Sequence, residues 1–259
     1  MYKETRMSEV KITDGLIHKK RNIVEEKTIP YIRKALNNEL YGVEPSGAFE
    51  NFRIAAGESD RNFYGLVSQD SDVFKWMEAA SLSLQYENEE MQTYLEEAID
   101  LLDRAQQKNG YLNTYFTIKD PSKRWTNLKE GHELYTAGHM TEAAVAYYKA
   151  TGKTEFLDIM KKFADLICKT FGPDEGQIHG YPGHQEIELA LIRLFYNNAV
   201  LTALCDYPAY RAAALALCDQ KRIYRPAAPE RFGDCVPAYY QALLLSLLVH
   251  CSYPFRKRR

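Results

Sequence analysis

Cysteine is sparse and scattered in this chain. Five residues in 259, Cys168, Cys205, Cys218, Cys235 and Cys251, are odd in number and never form C-x-x-C. That excludes a disulfide framework and a zinc knuckle made of paired thiols. No run of 18 apolar residues exists to cross a bilayer, and the opening MYKETRMSEVKITDG lacks the apolar stretch of a signal peptide. The expectation is a cytoplasmic protein with no membrane partner. An excess of one charge is missing too, with 33 Lys and Arg against 35 Asp and Glu and a pI near 6.3. No basic field is available to recruit nucleic acid, so a neutral small molecule is the expected partner. G-x-S-x-G, G-x-x-x-x-G-K-[ST] and G-x-G-x-x-G are all absent. This argues against a nucleophile-elbow hydrolase, an NTPase and a dinucleotide-binding fold.

What is present is helical periodicity in two alternating kinds. Residues 71–86, 132–150 and 184–197 are dense in apolar and small residues, as in helices packed on most sides. Residues 89–107 and 154–170 carry a narrow apolar stripe, Met91, Leu95, Ala98, Ile99, Leu102 and Ala105 in the first, opposite charged residues. Residues 18–42 also have helical spacing, with Pro30 marking a kink or restart, and a polar stretch then leads to Asp70. Buried and amphipathic helices in alternation, without a strand of period two, predict an all-α fold, a partial (α/α)6 barrel of nested hairpins. Short links join inner to outer helices. The long links, 108–131 and 171–183, fall at the end carrying the inner N-termini, where function tends to sit.

At that end three polar clusters open the inner helices: Asp70-Ser71-Asp72, His132-Glu133 and Gly183-His184-Gln185-Glu186. Helix N-termini present unpaired N–H groups, so capping accounts for any one of them, and it is the plainest role for Asp70 and Asp72. Three clusters, two with histidine, suggest a shared site. His132 and His184 are candidate substrate contacts and His179 a weaker one; His139, well inside its helix, reads as a core histidine. His132 and His139 are seven apart, not the four of a zinc-binding H-E-x-x-H, which makes a metal site from these residues unexpected. Trp125, Asn127, Asn113, Tyr111 and Tyr115 suit stacking on a sugar and binding its hydroxyls, though loop packing explains them almost as well. The 19 tyrosines admit both readings.

Residues 197–259 differ in character. They hold two Lys and seven Arg against one Glu and three Asp, a net of +5, whereas the first 196 residues carry −7. Four of the five cysteines lie there, and the inner/outer alternation is lost. The expected division is 1–196 as the N-terminal part of a catalytic barrel and 197–259 as an atypical tail, truncated or frame-shifted.

ENFRIAAG (50–57), YGLVSQDSDVFKWMEAAS (64–81), AQQKNGYLNTYF (105–116), RWTNLKEGHELYTAGHMTEAAVAYYKATGK (124–153) and GYPGHQEIELAL (180–191) together resemble glycoside hydrolase family 127, the β-L-arabinofuranosidase-like family. The resemblance implies an (α/α)6 barrel followed by β-sandwich domains and retaining hydrolysis of terminal L-arabinofuranose. It further implies a zinc-bound cysteine nucleophile, further cysteines and a glutamate as metal ligands, and another glutamate as acid/base, all later in the barrel. His132, His184, Asp70 and Asp72 match positions near the terminal sugar or the start of the first motif. No cysteine-rich zinc motif has a counterpart here, so the expectation is no bound cofactor and a sugar pocket that does not turn over alone. A non-catalytic sugar-binding or interaction module, an unsaturated uronyl hydrolase and a sugar epimerase remain the alternatives. Inner-helix faces that lack barrel neighbours would favour self-association.

Overall fold

Proline removes a backbone donor and presses its ring on the carbonyl four residues earlier, so Pro30 has to be accommodated. The computed structural model describes residues 10–84, 88–172, 174–180 and 182–198. It places α1 (Gly15–Ile23), one π-helical turn (Val24–Thr28) and α2 (Ile29–Leu36) in succession, with right-handed helical dihedrals at both junctions. The widened turn contains Glu26, the residue whose carbonyl the Pro30 ring approaches, and takes the place of the expected kink. α1 buries none of its residues. Leu16, Ile17, Ile23, Val24, Tyr31 and Ile32, along this stretch, are exposed.

The polar stretch expected to reach Asp70 contains a helix instead. α3 (Ala48–Ala55) buries Ala48, Phe49, Asn51 and Phe52. Gly47 starts it at φ +72, and a Cβ there would meet the Tyr64 carbonyl at 2.9 Å. The Asn51 side chain donates to that carbonyl at 2.8 Å and accepts from the Tyr64 N–H at 3.1 Å, fixing the following loop on the helix. Eight residues with two charges give too short a period to stand out in sequence.

The alternation beyond Asp70 is as the sequence predicts. α4 (Asp70–Ser83) buries Val73, Phe74, Trp76, Met77 and Ala80, and its Trp76 indole donates to the Ile29 carbonyl at 3.1 Å, tying it to α2. α5 (Glu89–Ala105) is capped by Asn88, which accepts from Met91 N–H at 2.9 Å, and buries the whole stripe named above. The long link then holds a short α6 (Tyr115–Ile118) and a 3-10 turn (Pro121–Lys123). α7 (Glu133–Thr151) is buried along most of its length and ends at Gly152 with φ +74, where a residue with Cβ would be strained. α8 (Glu155–Thr170) turns Phe156, Ile159, Met160, Phe163 and Ile167 inward. α9 (Glu186–Asn198) follows the second long link.

α7 packs between α4 and α9, while α5 and α8 cover the outside of this inner layer. Hydroxyls inside the inner helices bond back to their own backbone, Ser81 to Met77 and Thr141 to Ala137, so they need no cross-helix partner. Among the described residues there is no strand, only a single bridge between Phe171 and Ile178. The described part is therefore an all-α, partial barrel of nested hairpins. The expected atypical tail, apart from Asn197 and Asn198 at the end of α9, lies outside the described residues.

Candidate functional site

His132 occupies the N-cap position of α7 at φ +55, a left-handed conformation that few side chains adopt. Its Nδ1 lies 2.7 Å from the Glu130 carbonyl oxygen. A carbonyl only accepts, so Nδ1 carries the proton, and in the neutral ring Nε2 keeps its lone pair. The ring of His184, just ahead of α9, is 4.8 Å away centre to centre and tilted by 36°. The sequence-predicted pair, 52 residues apart, is thus brought together at the N-termini of two neighbouring inner helices.

Tyr135 completes the group. Its ring stands edge-on to His132 at 5.6 Å, 4.9 Å from His184 and edge-on to His139 at 4.6 Å. From α4, the Lys75 ammonium lies 5.2 Å from the centre of the same ring, donates to Ser71 Oγ at 3.2 Å and sits 3.8 Å from Asp72. Neither Tyr135 nor Lys75 was a candidate from the sequence. The spacing 132, 135, 139 places Tyr135 on the histidine face of the helix and was the available signal.

Partial burial and the neighbouring His132 hold His184 below the usual imidazole range. Burial, Lys75 and His184 push His139 down to about 4. His139 Nδ1 lies 3.2 Å from Glu186 Oε1 but not in hydrogen-bonding alignment, and the ring is a half-buried neutral histidine as expected. Below it, Arg193 pairs with Glu142 at 3.0 Å and reaches toward Glu78 at 3.8 Å. Burial, with Glu186 and Glu78 nearby, raises the Glu142 carboxyl to about 7 against the pull of Arg193.

The remaining candidates do not join the histidine pair. Asp70 is buried, and both its oxygens accept from Thr114, one from the backbone N–H at 2.7 Å and the other from Oγ1. Burial raises its carboxyl to about 6. It caps nothing: α4 begins at Asp70 itself, with no side-chain cap, so the capping role read from the sequence is corrected to a clamp on the long loop. Asp72 is exposed and accepts from Gln69 Nε2 at 3.2 Å. Trp125 stands half-buried, edge-on to Tyr111 and Phe171. Asn127 is exposed and accepts from the Glu130 N–H at 3.0 Å, closing a turn. Tyr111, Asn113 and Tyr115 are engaged in loop packing, and His179 is exposed in the second long link.

A zinc-bound thiolate finds no fit among the described residues. No three His, Cys, Asp or Glu there converge to hold a metal. Cys168 is partly buried, with its thiol pushed up to about 12. No described helix is long and apolar enough to cross a membrane.

Comparison with known proteins agrees with the geometry. The model of the β-L-arabinofuranosidase GH127 catalytic domain matches residues 9–238. A non-reducing end β-L-arabinofuranosidase of Bifidobacterium longum is 40% identical over 203 residues, 72% of this chain and 31% of its own length. The crystal structure of a GH127 β-L-arabinofuranosidase from Geobacillus stearothermophilus T6 superposes with a TM-score of 0.75 at 46% identity, covering 95% of this chain and 36% of that one. A further GH127 β-arabinofuranosidase structure gives a TM-score of 0.74 at 32% identity, over 89% of this chain and 35% of its own. The chain spans about a third of the length of these relatives.

Proposed function

The chain belongs to the GH127 β-L-arabinofuranosidase catalytic-domain family, and from that premise we propose that the hollow at the N-termini of α7 and α9 receives the terminal L-arabinofuranosyl residue of a glycan. The observation that carries this reading is the convergence of the His132 and His184 rings. A neutral imidazole offers one donor and one acceptor, the complement of a sugar hydroxyl, and the hydrogen bond from His132 Nδ1 aims that acceptor away from its own backbone. The Tyr135 ring supplies an apolar wall against the sugar's C–H face. Asp72 and Lys75 stand at the rim as further hydroxyl partners. Asp70, Trp125 and Asn127 act by holding the loops rather than by touching the sugar.

Retaining hydrolysis needs a nucleophile and an acid/base across the scissile bond. In this reading the described residues supply the sugar-holding side of such a pocket, and the 259-residue chain alone binds without cleaving. Isothermal titration of the full chain with L-arabinose is expected to show saturable binding that His132→Ala and His184→Ala each weaken at least tenfold. A folded chain that takes up no sugar would overturn the site. Release of arabinose from a β-L-arabinofuranoside by the purified chain would overturn the binding-only part.

A further inference from the structure

Two residues with side chains adopt left-handed backbone within one short segment, Trp125 at φ +62 and His132 at φ +55. For a residue as bulky as tryptophan this is strained and persists only where the surroundings enforce it. The enforcing group is Glu133. It is buried, and its two oxygens accept from two directions, Oε1 from the Tyr111 hydroxyl and Oε2 from the Trp125 N–H at 2.6 Å. Tyr111 is itself fixed, buried edge-on to Phe163 with the Arg124 guanidinium 4.1 Å over its ring. The segment 125–132 then does two things. It ends in His132, and its Leu128 carbonyl accepts from the Gly183 N–H at 3.2 Å. A Cβ on Gly183 would fall 2.5 Å from Lys129 Cα, so the backbone preceding His184 lies flat against this loop.

We propose that Glu133 is a positioning residue, a carboxylate latch on loop 125–132 that sets the His132 and His184 imidazoles face to face. As a statement about sugar contacts it rests on the function proposed above; as a statement about geometry it does not. Both donors suit the ionised carboxylate, since a protonated one or an amide must turn a donor toward Tyr111 or Trp125. Burial opposes that ionisation, and the two hydrogen bonds work against burial.

The test is histidine NMR on the full chain, reading the through-space contact between the two imidazoles and the titration midpoint of His184. In Glu133→Gln the ring contact is expected to fall to less than half, and the His184 midpoint to rise as His132 moves off. Tyr111→Phe, which keeps the Trp125 bond, gives the same changes at smaller amplitude and carries the test if Glu133→Gln does not fold. Asn51→Ala removes two buried hydrogen bonds to Tyr64 far along the chain and is expected to lower Tm without moving either signal. Wild-type ring contact and midpoint in folded Glu133→Gln or Tyr111→Phe would overturn the latch, as would equal changes in Asn51→Ala. Lost L-arabinose binding with the ring contact intact would sink the sugar reading and leave the latch standing.

Discussion

Asp70 fastens two segments 44 residues apart by accepting both hydrogen bonds that Thr114 can donate. Removing the acceptor leaves a buried N–H and a buried hydroxyl without partners, each costing about 1–3 kcal/mol. Asp70→Ala is therefore expected to lose about 3 kcal/mol of stability in urea denaturation at pH 8, where the wild-type carboxyl is ionised. Nothing in DSDVF announces Thr114, because a cross-chain hydrogen bond leaves no local pattern; first-turn acids read as caps whether or not they cap. His132 and His184 were legible for the opposite reason. Each sits beside a long loop at the start of a dense helix, and position along a helix is what periodicity reveals. Glu133, next in sequence to His132, was visible only as a neighbour, since its importance lies in what points at it.

At the scale of elements, Gly138 decides how closely α9 approaches α7. A Cβ there would lie 2.7–2.8 Å from Glu186 and the backbone N of Ile187. Alanine is the better helix former by about 1 kcal/mol. Overpacking against another helix's backbone costs about 1–3 kcal/mol, and backbone cannot swing aside as a flexible side chain does. Gly138→Ala is expected to be net destabilising by about 1 kcal/mol in chemical denaturation. The striped helices α5 and α8 were read correctly because amphipathic contrast is a surface property that a single helix carries. α3 was missed because eight residues span barely two turns, and its burial comes from Tyr64 and from α4 and α5 rather than from its own pattern.

For the molecule as a whole, the inner layer holds more acid than base where its helices meet. Glu78 and Lys75 from α4, Glu142 and His139 from α7, and Glu186 and Arg193 from α9 face one another. A carboxyl whose folded pKa is raised, as Glu142 is from 4.5 to about 7, binds a proton more readily in the folded than in the unfolded state. Its contribution to stability is thus most favourable below pH 4.5 and is lost as pH rises through 7. His139, held at about 4, has the opposite sign between pH 4 and 6.5, so the difference between variants is the clean readout. Across pH 5 to 8, Glu142→Gln is expected to gain stability relative to the wild type as pH rises, by no more than about 1.4 kcal/mol per pH unit, measured as Tm. The layered architecture was legible from the alternation of dense and striped helices. Three carboxyls gathering around one guanidinium were not, since that depends on facing directions set by packing. The same packing makes the two indoles optically unlike. Trp76, sealed in the core, emits in the blue until the protein melts, whereas Trp125, half in water beside the latch, emits further to the red, so fluorescence separates motion of the loop from loss of the fold.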